Sequence, residues 1–349
     1  MAWRTGTLTT DGPSLSDQVT RFYDLIAGYH ATQLIEIARE VGLWNAITAQ
    51  PGITSGDLAT GLGTEPFYTD VLCRTAFSFG LIDREDPGWR MAPHFDQILG
   101  DPESSFFLVN AARVHMLLGE DYKEYPERFR EGTTKPYQEH GDAFMAEVAA
   151  SLKVLPDIFV DLVLPQLPDL AARFEAGARV LDVGCGSGWA LVKFAERFPK
   201  VTGVGVDVEP HSVELAHRLI AERGLDARLE ARLSSAEQLA EPGRYDIVTS
   251  FLVIHELAPP IKTGVFKAVA DSLAPGGSFL IFDEAYPEND ADLRTMPMRF
   301  AALAQWYELT WGNRVNTSSE LRALCEGAGL EVVEETTFSR FHIMVATKG

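Results

Sequence analysis

The chain has 349 residues, 46% of them hydrophobic, and a formal net charge of −20. This length exceeds one typical domain of roughly 100–200 residues, and the composition is that of a globular protein. The strongly acidic balance argues against nucleic acid and anionic lipid as partners, because their phosphates would be repelled. No apolar run approaches the roughly 20 residues that cross a bilayer, and the first residues lack a signal-peptide pattern. We therefore expect a soluble, cytoplasmic protein with no membrane association.

The first part of the chain is predicted to be mainly helical. Apolar residues recur at helical spacing over residues 14–47, a Pro-Gly break follows, and Thr54 is a candidate cap for the next helix. Another helix is predicted over 65–79, and residues 81–91, with a turn at 86–88, indicate a β-hairpin. Helix, turn, helix and hairpin together suggest a winged helix.

A winged helix could read DNA with its second helix. That helix carries Arg74 against Glu65 and Asp70, whereas a groove-reading helix needs cations for phosphates and bases. We therefore favour a dimerisation and pocket-building role over DNA binding.

The second part of the chain alternates strands with helices, which predicts a doubly wound, Rossmann-like α/β fold with a mostly parallel seven-stranded sheet. We expect a winged-helix-like domain over residues 1–103, a helical linker over 104–169 and the α/β domain over 170–349. Predicted strands cover residues 179–183, 201–206, 227–231, 245–250, 278–282, 330–336 and 341–347.

A glycine-rich turn follows the first of these strands. Gly184, Gly186 and Gly188 let the backbone turn tightly and approach a ligand closely, at the start of a helix whose free N–H groups favour polar ligand atoms. The spacing differs from the G-x-G-x-x-G of dinucleotide sites, and Asp182 before the turn would repel a pyrophosphate. Asp207 ends the next strand roughly 20 residues on, where an acid can bind both ribose hydroxyls.

Residues 178–283 resemble a class I S-adenosylmethionine-dependent methyltransferase. The resemblance includes the glycine turn, Asp207, residues 245–248 that open the fourth strand and residues 273–277 before the fifth. The resemblance implies S-adenosylmethionine as cofactor. In the family an Asp on the third loop binds the adenine amino group, and Ser235 stands in its place here. The cofactor contacts that the resemblance implies are Asp182, Gly184, Gly186, Gly188, Asp207, Val208, Ser234, Ser235, Ala236 and Phe251.

His255 follows the fourth strand, at the sheet edge where ligands bind in such folds. An imidazole with a pKa near 6.5 is a suitable base for a phenol with a pKa near 10. Glu256 is adjacent and Asp283 closes the fifth strand, so both are candidates for orienting the base.

This constellation resembles small-molecule O-methyltransferases that have an N-terminal winged-helix dimerisation domain, in which a His followed by an acid is the base. The resemblance implies a homodimer. The plant branch has a second flanking Glu where this chain has Val315. We therefore expect an incomplete clamp of acids around His255.

An acceptor pocket is predicted between the fifth strand and the helix that Thr317 caps. Met298, Trp306, Tyr307 and Asn313 are its candidate lining, in a segment whose aromatic side chains favour a flat acceptor. Because the segment after His255 holds no second His before His342, we expect no metal. Two alternatives remain open: a C-methyltransferase acting on a 2-oxo acid or activated ring carbon, and a non-methylating protein on the same scaffold.

Overall fold

The computed structural model describes residues 12–238 and 241–349. The chain forms two compact units, one ending at Leu117 and the other covering Leu118–Gly349. The linker predicted over 104–169 is therefore shared between the two units. Within the described ranges, no helix has the length and apolar character needed to cross a membrane.

The first unit holds the predicted helices and hairpin. Thr54 caps the third helix by accepting a hydrogen bond from Asp57 N at 3.1 Å, as predicted from the sequence. Trp89 of the hairpin is buried, and its Nε1 donates to Ser55 Oγ at 2.8 Å. The elements are α1 (Leu15–Glu40), α2 (Leu43–Ala49), α3 (Ser55–Leu62), α4 (Pro66–Ser78), β1 (Ile82–Glu85) and β2 (Gly88–Met91).

The second unit is built on a sheet of seven strands. These are β3 (Arg179–Val183), β4 (Thr202–Asp207), β5 (Leu229–Leu233), β6 (Tyr245–Phe251), β7 (Leu273–Glu284), β8 (Leu330–Phe338) and β9 (Phe341–Lys348). The other α-helices of the described residues are α5 (Val109–Asp121), α6 (Tyr125–Glu131), α7 (Asp142–Leu152), α8 (Val154–Ile158), α9 (Pro168–Ala176), α10 (Trp189–Arg197), α11 (Pro210–Glu222), α12 (Pro259–Ser272), α13 (Met296–Glu308) and α14 (Ser318–Gly327).

The strand order is β5-β4-β3-β6-β7-β9-β8, with β3 to β7 parallel and β9 antiparallel to both of its neighbours. This confirms the predicted doubly wound, mostly parallel sheet. The fifth strand of the sheet begins five residues earlier than predicted, because Leu273 already pairs with Tyr245 before a register shift. Thr317 and Glu320 form the predicted capping box at the start of α14.

Buried apolar residues cover both faces of the sheet, which explains why its central strands read as nearly continuous hydrophobic runs. Phe279 and Phe282 of β7 are fully buried on opposite faces. The parallel strands therefore end at one edge, where Val183, Asp207 and Phe251 meet.

Candidate active site

The glycine turn after β3 adopts a backbone that side chains disfavour. Gly184, Gly186 and Gly188 have φ angles of 69°, 50° and 82°. A Cβ on Gly184 would lie 2.4 Å from Val253 Cγ2, and one on Gly188 would lie 3.1 Å from Ala216 Cβ, whereas one on Gly186 would meet no atom within 4 Å. The outer two glycines thus allow close packing, and the middle one faces open space.

Asp207 is tied to this turn. Its Oδ2 accepts a hydrogen bond from Gly186 N at 2.8 Å, and its Oδ1 accepts one from Glu209 N at 2.9 Å. Burial raises the pKa of Asp207 although these N–H groups favour its ionised form. The carboxylate is therefore held in a fixed orientation at the end of β4.

Asp182 is a second acid beneath the turn. It is 2% exposed and its Oδ1 accepts from Thr249 Oγ1 at 2.7 Å. Burial raises its pKa to about 7, and the charge of Asp207 adds to the effect. A cationic ligand group nearby would stabilise its ionised form.

These residues line a cavity of about 430 Å³ at the sheet edge. Nine of the ten predicted cofactor contacts are in its lining; Gly188 is not, because it packs against Ala216. The remaining lining is mainly apolar or aromatic and includes Tyr137, Met145, Val148, Leu152, Trp189, Ile261 and Trp311.

This donor set fits S-adenosylmethionine. The glycine turn leaves room for a ligand at Gly186, Asp207 offers acceptors to ribose hydroxyls, and the acids suit a cationic sulfonium and ammonium. At the third loop both Ser235 and Glu237 line the cavity, so a carboxylate stands two residues after the expected position.

Leu252, a residue with a strained backbone, turns the chain after β6 just before His255. Leu252 has a φ angle of 55°, and its N donates to Phe282 O at 2.8 Å. The short turn that follows buries His255, which is 3% exposed. Its Nδ1 is hydrogen-bonded to Asp283 Oδ1, while Asp283 Oδ2 accepts from Ile254 N at 2.9 Å.

Glu308 lies on the other side of the imidazole. Its Oε2 is 3.3 Å from His255 Nε2 and accepts from Asn313 Nδ2 at 3.4 Å, and the residue is 6% exposed. The expectation of an incomplete clamp was therefore wrong. Val315 is a buried apolar residue, and the second carboxylate comes instead from the end of α13.

The two carboxylates control the charge of His255. Burial acts to lower its pKa, but Asp283 and Glu308 outweigh burial and raise the pKa well above its ordinary value. The site therefore strongly favours the imidazolium, which is the form that a base reaches after taking a proton.

Glu256 lines the cavity rather than joining this clamp. Its side chain is exposed to solvent in the cavity, where the negative charges of Glu308 and Asp207 oppose its ionisation and the charge of His255 favours it. Glu256 therefore faces the cavity, whereas Asp283 and Glu308 contact the imidazole.

The predicted acceptor residues separate in the structure. Asn313 lines the cavity, but Met298, Trp306 and Tyr307 do not. Trp306 is 43% exposed and packs against a group of aromatic side chains, Tyr122, Tyr125 and Phe129. A role for these three residues in acceptor binding stays a prediction.

His255 is not among the residues that line the cavity, although its neighbours Val253, Glu256 and Leu257 are.

Sequence reasoning missed Glu308, yet a signal was present. Glu308 is the one charged residue between Arg299 and Arg314, in an otherwise uncharged stretch. In the described part of the chain, no group of three or more His, Cys, Asp or Glu side chains is placed to hold a metal ion.

Comparison with known proteins agrees with this geometry. A family described as methyltransferase domain matches residues 159–335. A 3-hydroxy-5-methyl-1-naphthoate 3-O-methyltransferase from Streptomyces sahachiroi is 25% identical over 92% of both chains. Polyketide synthase ThaQ from Burkholderia thailandensis is 35% identical over 35% of this chain and 6% of its own length. A ubiquinone biosynthesis O-methyltransferase from Xanthomonas euvesicatoria pv. vesicatoria is 35% identical over 33% of this chain and 47% of its own length.

Solved structures share the fold over nearly the whole chain. Human N-acetylserotonin methyltransferase in complex with S-adenosylmethionine superposes with a TM-score of 0.74 at 18% identity, covering 97% of this chain and 99% of that one. The pyocyanin biosynthetic protein PhzM gives a TM-score of 0.77 at 17% identity, covering 96% and 100%.

The sheet topology and the glycine-turn cavity agree with a methyltransferase domain. The chain belongs to the methyltransferase-domain family, whose match spans half of its length.

Proposed function

We propose that this protein methylates a hydroxyl group of a small, flat, aromatic acceptor, with His255 as the base and Asp283 and Glu308 as its supports. The observation that carries the proposal is the buried His255 held between two carboxylates beside the glycine-turn cavity. The full-length similarity to a naphthoate 3-O-methyltransferase also supports a hydroxyl acceptor.

The donor half of the reaction needs residues that hold the cofactor. When bound, S-adenosylmethionine supplies an electrophilic methyl group on a sulfonium sulfur. Asp207 would bind the ribose hydroxyls, the backbone around Gly186 would accommodate the ligand, and Asp182 would face its positive charge. Such positioning contributes a large part of the rate in a displacement reaction.

The acceptor half needs a base. His255 Nε2 would take the proton of the acceptor hydroxyl, and the oxygen would receive the methyl group that the bound cofactor supplies. Asp283 holds Nδ1 and Glu308 stabilises the imidazolium that forms. An acceptor that enters beside Asn313 reaches Nε2 by replacing the 3.3 Å contact with Glu308 Oε2.

The test is to incubate the protein with S-adenosylmethionine and a panel of phenols and 2-oxo acids, and to identify products by mass spectrometry and NMR. We expect O-methylated phenols, with turnover lowered roughly 10²–10⁴-fold in His255→Gln. His217→Gln is the matched control, because His217 lies on α11 and its Nε2 is hydrogen-bonded to Ala231 O of β5. A new carbon–methyl bond, or full activity of His255→Gln, would contradict the proposal.

We also propose that α1 pairs with a second copy of the chain. Apolar residues with alternating spacings of four and three form a seam typical of helix–helix contact, and each of them is at least 38% exposed. These residues are Leu15, Val19, Phe22, Ile26 and Tyr29.

Light scattering after size exclusion tests the dimer. We expect twice the chain mass of 38.4 kDa for the wild type and the single-chain mass for the double variant Phe22→Glu/Ile26→Glu. A control with Asp24→Asn on the same helix should remain dimeric. A monomeric wild type would contradict the proposal.

We also propose that the protein is cytoplasmic, because its three cysteines are free and buried. Fractionation of the native cells should recover the protein with cytoplasmic markers. Recovery outside the cytoplasm would contradict it.

A further inference from the structure

Lys262 is a buried cation next to the catalytic clamp. It lies in the first turn of α12 and is 4% exposed. Its Nζ donates to Asn316 Oδ1 at 2.8 Å and to Arg314 O at 3.2 Å. A lysine is rarely so buried unless its charge and hydrogen bonds are satisfied.

These two bonds hold the strap, which we define as residues 312–316. Arg314 N donates to His255 O at 3.2 Å, so the strap lies directly against the backbone of the base. Asn313 of the strap lines the cavity and donates to Glu308. Lys262 therefore joins α12 to the segment that contacts both His255 and Glu308.

Lys262 also has an electrostatic effect on the clamp. Burial lowers its pKa to about 8, while the charges of Asp283 and Glu320 partly oppose this, so the ammonium is charged at pH 7. The opposing effect of Asp283 means that the two charges attract one another. Lys262 Nζ bonds Arg314, whose N contacts His255 O, so this cation lies close enough to reduce the net negative potential that His255 experiences.

The charged and titratable groups around this pair come from several elements. Facing His255 are Asp283 and Glu284 of β7, Tyr307 and Glu308 of α13, and Glu256 of its own turn. Facing Lys262 are Asp283, Glu320 and Arg314. Acids dominate the group around His255, and the positive charge of Lys262 opposes their combined negative potential.

We propose that Lys262 is a positioning residue for methyl transfer: it holds the strap against His255, and its positive charge offsets part of the negative potential of Asp283, which lowers the pH at which the imidazolium releases its proton. The inference rests on the proposed role of His255 as base. Without this cation, two carboxylates would keep the imidazole protonated to higher pH, and less of the enzyme would carry a free base.

The test compares Lys262→Gln, which removes the charge, with Lys262→Arg, which keeps it. The readouts are the pH profile of kcat and an NMR titration of ¹³C-labelled histidine, with the His255 signal assigned by its loss in His255→Gln. We expect both midpoints to rise by about 0.5–1 pH unit in Lys262→Gln and to stay unchanged in Lys262→Arg. Unchanged midpoints in Lys262→Gln with a lower kcat would mean a merely structural role and overturn the proposal.

Asn316→Ala tests the holding role separately, and it remains informative if Lys262→Gln does not fold. It removes one partner of the ammonium but keeps the charge, so we expect a lower kcat with an unchanged midpoint. A wild-type kcat in Asn316→Ala would overturn the role of the strap. If His255→Gln were fully active, the proposed function would fail, whereas the NMR titration would still report whether Lys262 affects His255.

Discussion

Replacing Glu308 by Gln tests the clamp most sharply, because it removes one charge and keeps the shape of the side chain. Glu308 Oε2 lies 3.3 Å from His255 Nε2. Two unit charges at that separation attract by about 5 kcal/mol at an effective dielectric constant of about 20. Since an opposite charge this close changes a pKa by about 1–3 units in proteins, we expect the pKa of His255 to fall by about that amount.

The consequence for catalysis has two parts. The acid limb of the kcat profile should move to lower pH by about 1–3 units in Glu308→Gln, because the free imidazole persists to lower pH. The alkaline plateau of kcat should fall by about 10²-fold, because the imidazolium formed during proton transfer loses a stabilising charge.

The assay is the pH profile of methyl transfer together with the NMR titration of His255. Glu256→Gln is the matched control: the same substitution at the adjacent acid, which lines the cavity and does not contact the imidazole. If Glu256→Gln changed the pKa of His255 as much as Glu308→Gln, or if Glu308→Gln changed nothing, the assignment of the clamp would be wrong.

Three further predictions follow from the same contacts. Asp207→Ala should weaken binding of S-adenosylmethionine and S-adenosylhomocysteine by roughly 10–100-fold in calorimetry, because charged hydrogen-bond partners contribute about 1.5–3 kcal/mol; unchanged affinity would remove Asp207 from the donor site. Gly184→Ala should lower the free energy of unfolding by about 2–4 kcal/mol in urea, since its Cβ would lie 2.4 Å from Val253 Cγ2. Gly186→Ala should lower it by only about 1 kcal/mol and should mainly weaken cofactor binding. Equal losses of stability in the two variants would contradict this prediction. The raised pKa of His255 contributes stability that is complete below about pH 6.5 and is lost as pH rises through the folded-state pKa. His255→Gln should therefore reduce the loss of unfolding free energy over this pH range. An unaltered pH dependence of stability would refute the raised pKa of His255.

The architecture was largely predictable because its signals are local. The alternation of strands and helices, the glycine spacing and the capping box at Thr317 each depend on neighbouring residues. Parallel topology then brings Asp207 and Asp283, which end their strands, to the same edge of the sheet. The sequence therefore predicted which residues meet there.

The clamp was less predictable because it depends on helix geometry at long range. Glu308 is 53 positions from His255 in the chain, and its carboxylate reaches the imidazole through the direction of α13. Glu256 shows the opposite error: it is next to His255 in the chain and was therefore a candidate for orienting the base, but it lines the cavity instead. Trp306 shows a similar limit, because an aromatic side chain suits a pocket and a packed cluster equally well.

The most direct test of the central claim is transfer of a ¹³C-labelled methyl group from S-adenosylmethionine to a phenol, followed by NMR in wild type and His255→Gln. The account predicts a methyl signal bonded to oxygen in the wild type and its loss by at least about 10²-fold in the variant. A methyl signal bonded to carbon, or equal transfer by both proteins, would contradict it.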